Sequence, residues 1–155
     1  MVFFSVMLLV SPMSWADSGC FDYNVDAVFS GDPLNPFGPY AGVLSGSIGG
    51  QPFENVPATL ILGAPKFGDD GTILAVNTVI RYEDRGTLIL TEHAVASPTD
   101  IPYVYRVNSR FDFCVSEDPK CTGDFENAFG RFSFHGYIDF STASVVGSGK
   151  GNICW

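Results

Sequence analysis

The chain has 155 residues and a formal net charge of −9, from 17 acidic residues against 8 basic ones. That length fits one domain, and the acidic balance argues against nucleic acid and anionic membrane surfaces, which are met by clustered Lys and Arg. The two histidines, His93 and His135, lie far apart, and the four cysteines form no C-x₂-C pair, so no metal site and no cofactor is expected.

Residues 1–16 carry no charge, and residues 2–10 form an apolar run broken only by Ser5. Ser14-Trp15-Ala16 then places small residues three positions and one position before a cut after Ala16. This is the apolar region and cleavage site of a secretory signal peptide, although no Lys or Arg precedes the run. It is too short to span a bilayer, and a buried first strand is the alternative reading. Cys20 follows Asp17-Ser18-Gly19, which is no lipobox. The expected division is a signal peptide over 1–16 and one domain over 17–155, secreted or periplasmic, with no membrane attachment after the signal is removed. Cys20, Cys114, Cys121 and Cys154 all fall in that domain. An even count in an exported chain reads as two disulfides, with three pairings open.

The remainder alternates over short runs separated by Gly, Pro, Asn and Asp, with almost no helical period. In the first strand Phe21, Tyr23, Val25, Ala27 and Phe29 oppose Asp22, Asn24 and Asp26. Residues 32–39, with three prolines, form a loop. A glycine-studded second strand covers 40–48, where Gly42, Gly46 and the pair Gly49-Gly50 suggest close packing or bending. A third strand is expected over 58–62, followed by the turn-rich stretch 63–71, and a long β-branched fourth over 72–82. Residues 83–86 read as a hairpin turn and 87–94 as the return strand. After a loop over 97–102, residues 103–113 place Tyr103, Tyr105, Val107, Phe111 and Phe113 opposite Arg106, Asn108, Arg110 and Asp112. Beyond a loop over 114–130, Phe132, Phe134, Ile138 and Phe140 oppose Arg131, Ser133, His135 and Asp139. A last strand ends at Ile153-Cys154-Trp155.

Eight antiparallel strands joined by short loops give an all-β domain, either a closed up-and-down barrel or a sandwich. In the barrel the start of the first strand lies beside the end of the eighth, so Cys20 would bridge Cys154. Cys114 and Cys121 bracket a short loop and pair with each other.

Residues 121–130 read Cys-Thr-Gly-Asp-Phe-Glu-Asn-Ala-Phe-Gly and lead into the strand from Arg131. This resembles the G-T-G-x-F-x-x-A-x-G element of the allene oxide cyclase and dirigent-like barrel superfamily, and exported bacterial members in particular. Thr122, Gly123, Phe125, Ala128 and Gly130 match, while Cys121 replaces the first glycine. The resemblance implies the barrel, with Phe125 and Ala128 plugging one mouth. Cyclases of this group close a ring on an unsaturated fatty-acid epoxide in an apolar cavity, and dirigent proteins orient phenolic radicals. No functional residue of either carries over to a matching position.

No catalytic constellation stands out. Gly147-Ser148-Gly149-Lys150-Gly151 lacks the spacing and the following Ser or Thr of a phosphate loop and reads as bent strand or turn. Asp69-Asp70-Gly71 is a turn and not a calcium loop. His93 and His135 read as surface residues. Arg106, Arg110 and Asp112 share one face: turned inward they would bind a carboxylate or polarise a carbonyl, turned outward they form cross-strand ion pairs, and the aromatic opposite face favours outward. Tyr23, Tyr105, Phe111 and Phe134 line a cavity for an apolar or phenolic ligand if the interior is hollow, or fill the barrel completely, and the filled core is the slightly favoured expectation. The expected function is non-catalytic binding of a small apolar ligand or a protein partner. The alternatives are an isomerase, cyclase or dirigent-like activity on a hydrophobic or phenolic substrate, and a structural component of the envelope.

Overall fold

The computed structural model describes residues 19–62, 64–75, 78–82, 85–115 and 120–155; the expected signal segment over 1–16 and the tip of the hairpin turn expected over 83–86 lie outside the described residues. The described residues form ten strands: β1 (Cys20–Ser30), β2 (Tyr40–Ile48), β3 (Gln51–Ile61), β4 (Lys66–Phe67), β5 (Ile73–Ala75), β6 (Thr78–Tyr82), β7 (Gly86–Pro98), β8 (Val104–Phe113), β9 (Phe129–Asp139) and β10 (Ser144–Cys154). A single 3₁₀ turn, Gly123–Phe125, is the sole helical element among them. All strands join one antiparallel sheet in the order β4-β5-β7-β6-β3-β2-β1-β10-β9-β8, and β7 pairs with β8 as well.

Alternation decides which face is buried. In β1, Tyr23, Val25, Ala27 and Phe29 are buried between exposed Asp22, Asn24, Asp26 and Val28, which is the pattern of a half-buried antiparallel strand. Strands β8 and β9 follow the same rule, so their aromatic faces turn inward as the sequence predicts. On β10 the inward positions between Val145 and Ile153 are glycines. A Cβ on Gly147 would lie 2.5 Å from the ring of Phe134, and one on Gly149 2.8 Å from that of Phe132. These glycines leave the volume that the two β9 rings fill, so the stretch 147–151 is a strand with a packing role.

Three expected boundaries shift. Gly49 and Gly50, at φ +58° and +80°, make a two-residue hairpin turn, so β3 begins at Gln51 and not at residue 58. The expected fourth strand is split into β5 and β6, both paired with β7. Tyr103 sits in a turn at φ +65° with 69% of its surface exposed, and so leaves the buried face assigned to it.

Both disulfides are present. Cys20 and Cys154 stand directly opposite in the β1–β10 ladder with Cα atoms 4.0 Å apart, and Cys114 joins Cys121. Two disulfides fit an extracytoplasmic protein. Among the described residues no helix is long and apolar enough to cross a membrane.

The two ends of the strands differ. At one end the disulfides gather with the 3₁₀ turn, whose Phe125 is buried and packs on Tyr82 at a ring distance of 4.8 Å. At the other lies an aromatic chain in which Phe37 touches Phe67 of β4 and Phe140, and Phe140 touches Tyr105 of β8. The Tyr40 hydroxyl donates to the Pro36 carbonyl and ties the 32–39 loop down.

Candidate functional site

Between the buried faces lies a cavity of about 70 Å³, lined by side chains from β1, β2, β3, β6, β7, β8, β9 and β10. Its wall is apolar almost throughout, with Tyr23, Phe29, Phe111, Phe132 and Phe134 supplying the rings. Three of the four predicted lining residues, Tyr23, Phe111 and Phe134, are therefore in place. Tyr105 is not among the lining residues: it is half-buried nearer the loop end, in edge contact with Phe140 at 5.3 Å.

The polar part of the wall consists of Glu92 and Ser109, 4% and 5% exposed. The Ser109 hydroxyl donates to Oε1 of Glu92 at 2.7 Å. Register explains the pair. Ser109 stands opposite Ala94, two residues from Glu92, so the two polar side chains are diagonal neighbours and the short Ala94 leaves room between them. Burying a carboxyl is costly unless hydrogen bonds replace water, and the Ser109 hydroxyl is one such bond.

Neither residue was identified from sequence, yet a signal existed. Leu88, Leu90, Glu92, Ala94 and Ala96 fall at every second position of β7, and all are buried. Continuing the alternation of the return strand past Leu90 puts a glutamate on the apolar face. On β8, Ser109 occupies the gap between Val107 and Phe111 on the inner face.

A second polar pair lies towards the disulfide end. The hydroxyls of Tyr23 and Tyr82 are 3.0 Å apart and both side chains are buried. Burial pushes the Tyr23 hydroxyl up to about 12, opposed in part by its hydrogen bond to Tyr82. Tyr82 is pushed well above its ordinary value of 10.0 by burial and then by the charge and hydrogen bond of Tyr23.

The alternative polar set does not reach the cavity. Arg106 and Arg110 are exposed on the outer face of β8, and Asp112 pairs across the ladder with Arg131 at 2.6 Å. The Arg131 hydrogen bond holds the Asp112 carboxyl below its ordinary value; burial opposes it, and the charges of Arg131, Arg110 and His93 add to the lowering. His135 is also outside, where its Nδ1 donates to Oδ1 of Asn108, the residue opposite, at 2.8 Å. His93 is exposed opposite Arg110. Asp70 accepts from the Thr72 hydroxyl at 2.7 Å and amide at 3.0 Å, an Asx-type turn. Among the described residues no three His, Cys, Asp or Glu gather as metal ligands.

The 121–130 element packs at the disulfide end against β7 and Trp155. Gly123 and Gly130 have φ of +65° and +139°, and Phe125 and Ala128 are buried. Compared with models of known families, with curated proteins and with solved structures, the chain matches none.

Proposed function

We propose that the domain is an exported, closed up-and-down barrel that binds a small apolar ligand inside, with the ligand's one polar group set against Glu92 and Ser109. Closure is supported by the pairings themselves. Strand β7 bonds to β5 and β6 along one side and to β8 along the other, and the remaining pairs run β8–β9–β10–β1–β2–β3–β6. Kinship with the allene oxide cyclase and dirigent-like group is supported by the positive φ of Gly123 and Gly130 and by the buried Phe125 and Ala128.

The observation that carries the binding proposal is one hydrogen-bonded carboxyl in an otherwise apolar cavity. Such a wall selects an apolar body and orients it by a single polar contact. Size narrows the ligand. A cavity that admits benzene measures about 150 Å³, and this one is about 70 Å³. The guest is therefore a short aliphatic chain bearing a hydroxyl, or the corresponding end of a longer molecule that leaves through the loop end.

Titration with straight-chain alcohols of increasing length, followed by methyl NMR, tests this reading. Affinity should rise over the first few carbons, shift the resonances of Val107 and Ile138, and vanish in Ala27→Leu, which fills the cavity. Binding that survives Ala27→Leu would place the ligand elsewhere and sink the proposal.

A second reading is an isomerase or cyclase, favoured by the same carboxyl, because a group in contact with a bound apolar substrate is placed to move a proton. It requires turnover of a bound ligand that Glu92→Gln abolishes while binding persists.

A further inference from the structure

The net charge of −9 conceals a reversal on one outer face. Four of the 8 basic residues, Arg106, Arg110, Arg131 and Lys150, project outward from β8, β9 and β10. The outward acids on those strands are Asp112, held by Arg131, and Asp139 at the end of β9, whose carboxylate accepts from the Ser141 amide and hydroxyl. Arg106, Arg110 and Lys150 have no ion-pair partner among the described residues.

Register arranges this face in rows. Lys150, Ser133, Arg110 and His93 stand successively opposite one another across four strands. The next row is Ser148, His135 and Asn108, and the one after is Val146, Tyr137 and Arg106. All are exposed. Side chains in a row are spaced by about 4.8 Å and rows by about 7 Å, so cations, hydroxyls, an amide and two imidazoles alternate over one surface. The surface is not flat. Ser133, His135, Ser148 and Lys150 line an open groove of about 420 Å³, bordered on β1 by Asn24 and Asp26. Tyr137, 55% exposed, lies one row away.

We infer that this outer face is a docking surface for an anionic polysaccharide, a chain of sugars bearing carboxylate or sulfate groups. The unpaired cations meet the repeated negative charges. The interleaved Ser, Asn and His groups meet hydroxyls, and the exposed ring of Tyr137 offers an apolar face for a pyranose, as an amphipathic aromatic does at wet interfaces. Nucleic acid fits less well: it is met by densely clustered Lys and Arg with several stacking rings, whereas this face offers few cations, and its two exposed rings, Phe129 and Tyr137, stand eight positions apart on β9. The two disulfides fit an extracytoplasmic setting, where charged glycans are met. The surface is separate from the interior cavity, and the inference does not rest on the ligand proposed for it.

The test uses polygalacturonate and dextran sulfate as probes, neutral dextran as control, and isothermal titration calorimetry as readout. The wild-type chain should bind at least one charged polymer and not neutral dextran. Affinity should fall by about tenfold between about 50 and 200 mM salt, because displaced counterions oppose binding. The triple variant Arg106→Ser, Arg110→Ser, Lys150→Ser should lose about tenfold or more at low salt, whereas Lys66→Ser, Lys120→Ser, exposed elsewhere, should stay near wild type. Preference for one polymer identifies the anionic group. No binding at low salt, equal binding of neutral dextran, equal losses in the two variants, or tighter binding of single-stranded DNA or phosphatidylglycerol vesicles overturns the inference. Circular dichroism confirms that both variants fold.

Discussion

Gly86, at the start of β7, and Gly123, in the 3₁₀ turn, pack backbone against backbone. A Cβ on Gly86 would lie 2.1 Å from the Thr122 carbonyl oxygen, and one on Gly123 2.2 Å from that of Arg85. The contact holds because the two segments exchange hydrogen bonds: Thr122 donates to Thr87, Thr87 to Thr122 and Asp124 to Arg85. Their φ angles of +121° and +65° add a conformational penalty for any side chain. Gly123→Ala and Gly86→Ala should each cost about 2–4 kcal/mol, read as a drop in the urea midpoint. Gly50→Ala also carries a positive φ, +80°, but meets no atom within 4 Å, so it should cost only about 1 kcal/mol. Equal losses at the three sites would mean that conformation alone, and not the close approach, fixes these glycines.

Ser109→Ala removes a hydrogen bond from a carboxyl that stays buried. The loss should be about 1–3 kcal/mol, because the penalty falls on the remaining buried group, and it should exceed the loss from Ser133→Ala on the exposed face of β9. Chemical denaturation of both variants measures the difference. If Ser109→Ala is neutral, the hydroxyl is not what holds Glu92, and the polar contact proposed for the ligand loses its support.

How far the fold was legible follows from where alternation is strong. Strands β1, β8 and β9 alternate apolar and polar residues along most of their length, and their faces read correctly. β3 did not: Gln51, Pro52, Glu54 and Asn55 are exposed at its start, and only residues beyond Val56 look like a strand. Pairing with β2, which passes through a register shift between Leu44 and Gly46, recruits the polar half. The interior polar pair was missed for a related reason. A glutamate and a serine at inward positions contradict the composition rule for a core: alternation along β7 and β8 puts each on an apolar face, but only the register brings the two together. The outer cationic face was legible only in part: Arg106 and Arg110 share a face by alternation, but Lys150 lies 40 positions beyond Arg110 and joins that face only through β9.

The Tyr23–Tyr82 pair predicts an alkaline instability. Both hydroxyls titrate above the ordinary 10.0 in the folded state, Tyr23 at about 12, whereas the unfolded chain ionises near 10. Between these values the unfolded state binds fewer protons, so stability is full below about pH 10 and is lost as pH rises towards 12. For Tyr23 alone the loss is on the order of 2 kcal/mol. Tyr23→Phe, Tyr82→Phe removes both partners of one buried hydrogen bond, which leaves no unsatisfied group, so it should be nearly neutral at pH 7. The same variant should flatten the decline above pH 10. A double variant that declines as steeply as wild type would assign the alkaline loss to other groups.

The disulfides predict a ranking that depends on the chain between their ends. Cys20–Cys154 closes a loop with a sequence separation of 134 residues, and Cys114–Cys121 one of 7. If a disulfide acts mainly by restricting the unfolded chain, the first contributes about 5 kcal/mol and the second about 2.5 kcal/mol. Position reinforces the order, because Cys20 and Cys154 fix the β1–β10 ladder at its end, next to the mutual hydrogen bonds of Gly19 and Trp155. Cys20→Ser, Cys154→Ser should therefore unfold at lower denaturant than Cys114→Ser, Cys121→Ser, by a margin of about 2.5 kcal/mol. The short loop has a compensating role that could narrow this margin. Cys121 Sγ accepts from the Ile89 amide at 3.1 Å, and that contact helps seat the 121–130 element on β7. Cys121→Ala, Cys114→Ala separates the effects: removing the acceptor as well as the bridge should lower stability below that of the serine pair, which can still accept a hydrogen bond. If the alanine and serine pairs unfold together, the bridge alone matters at that end.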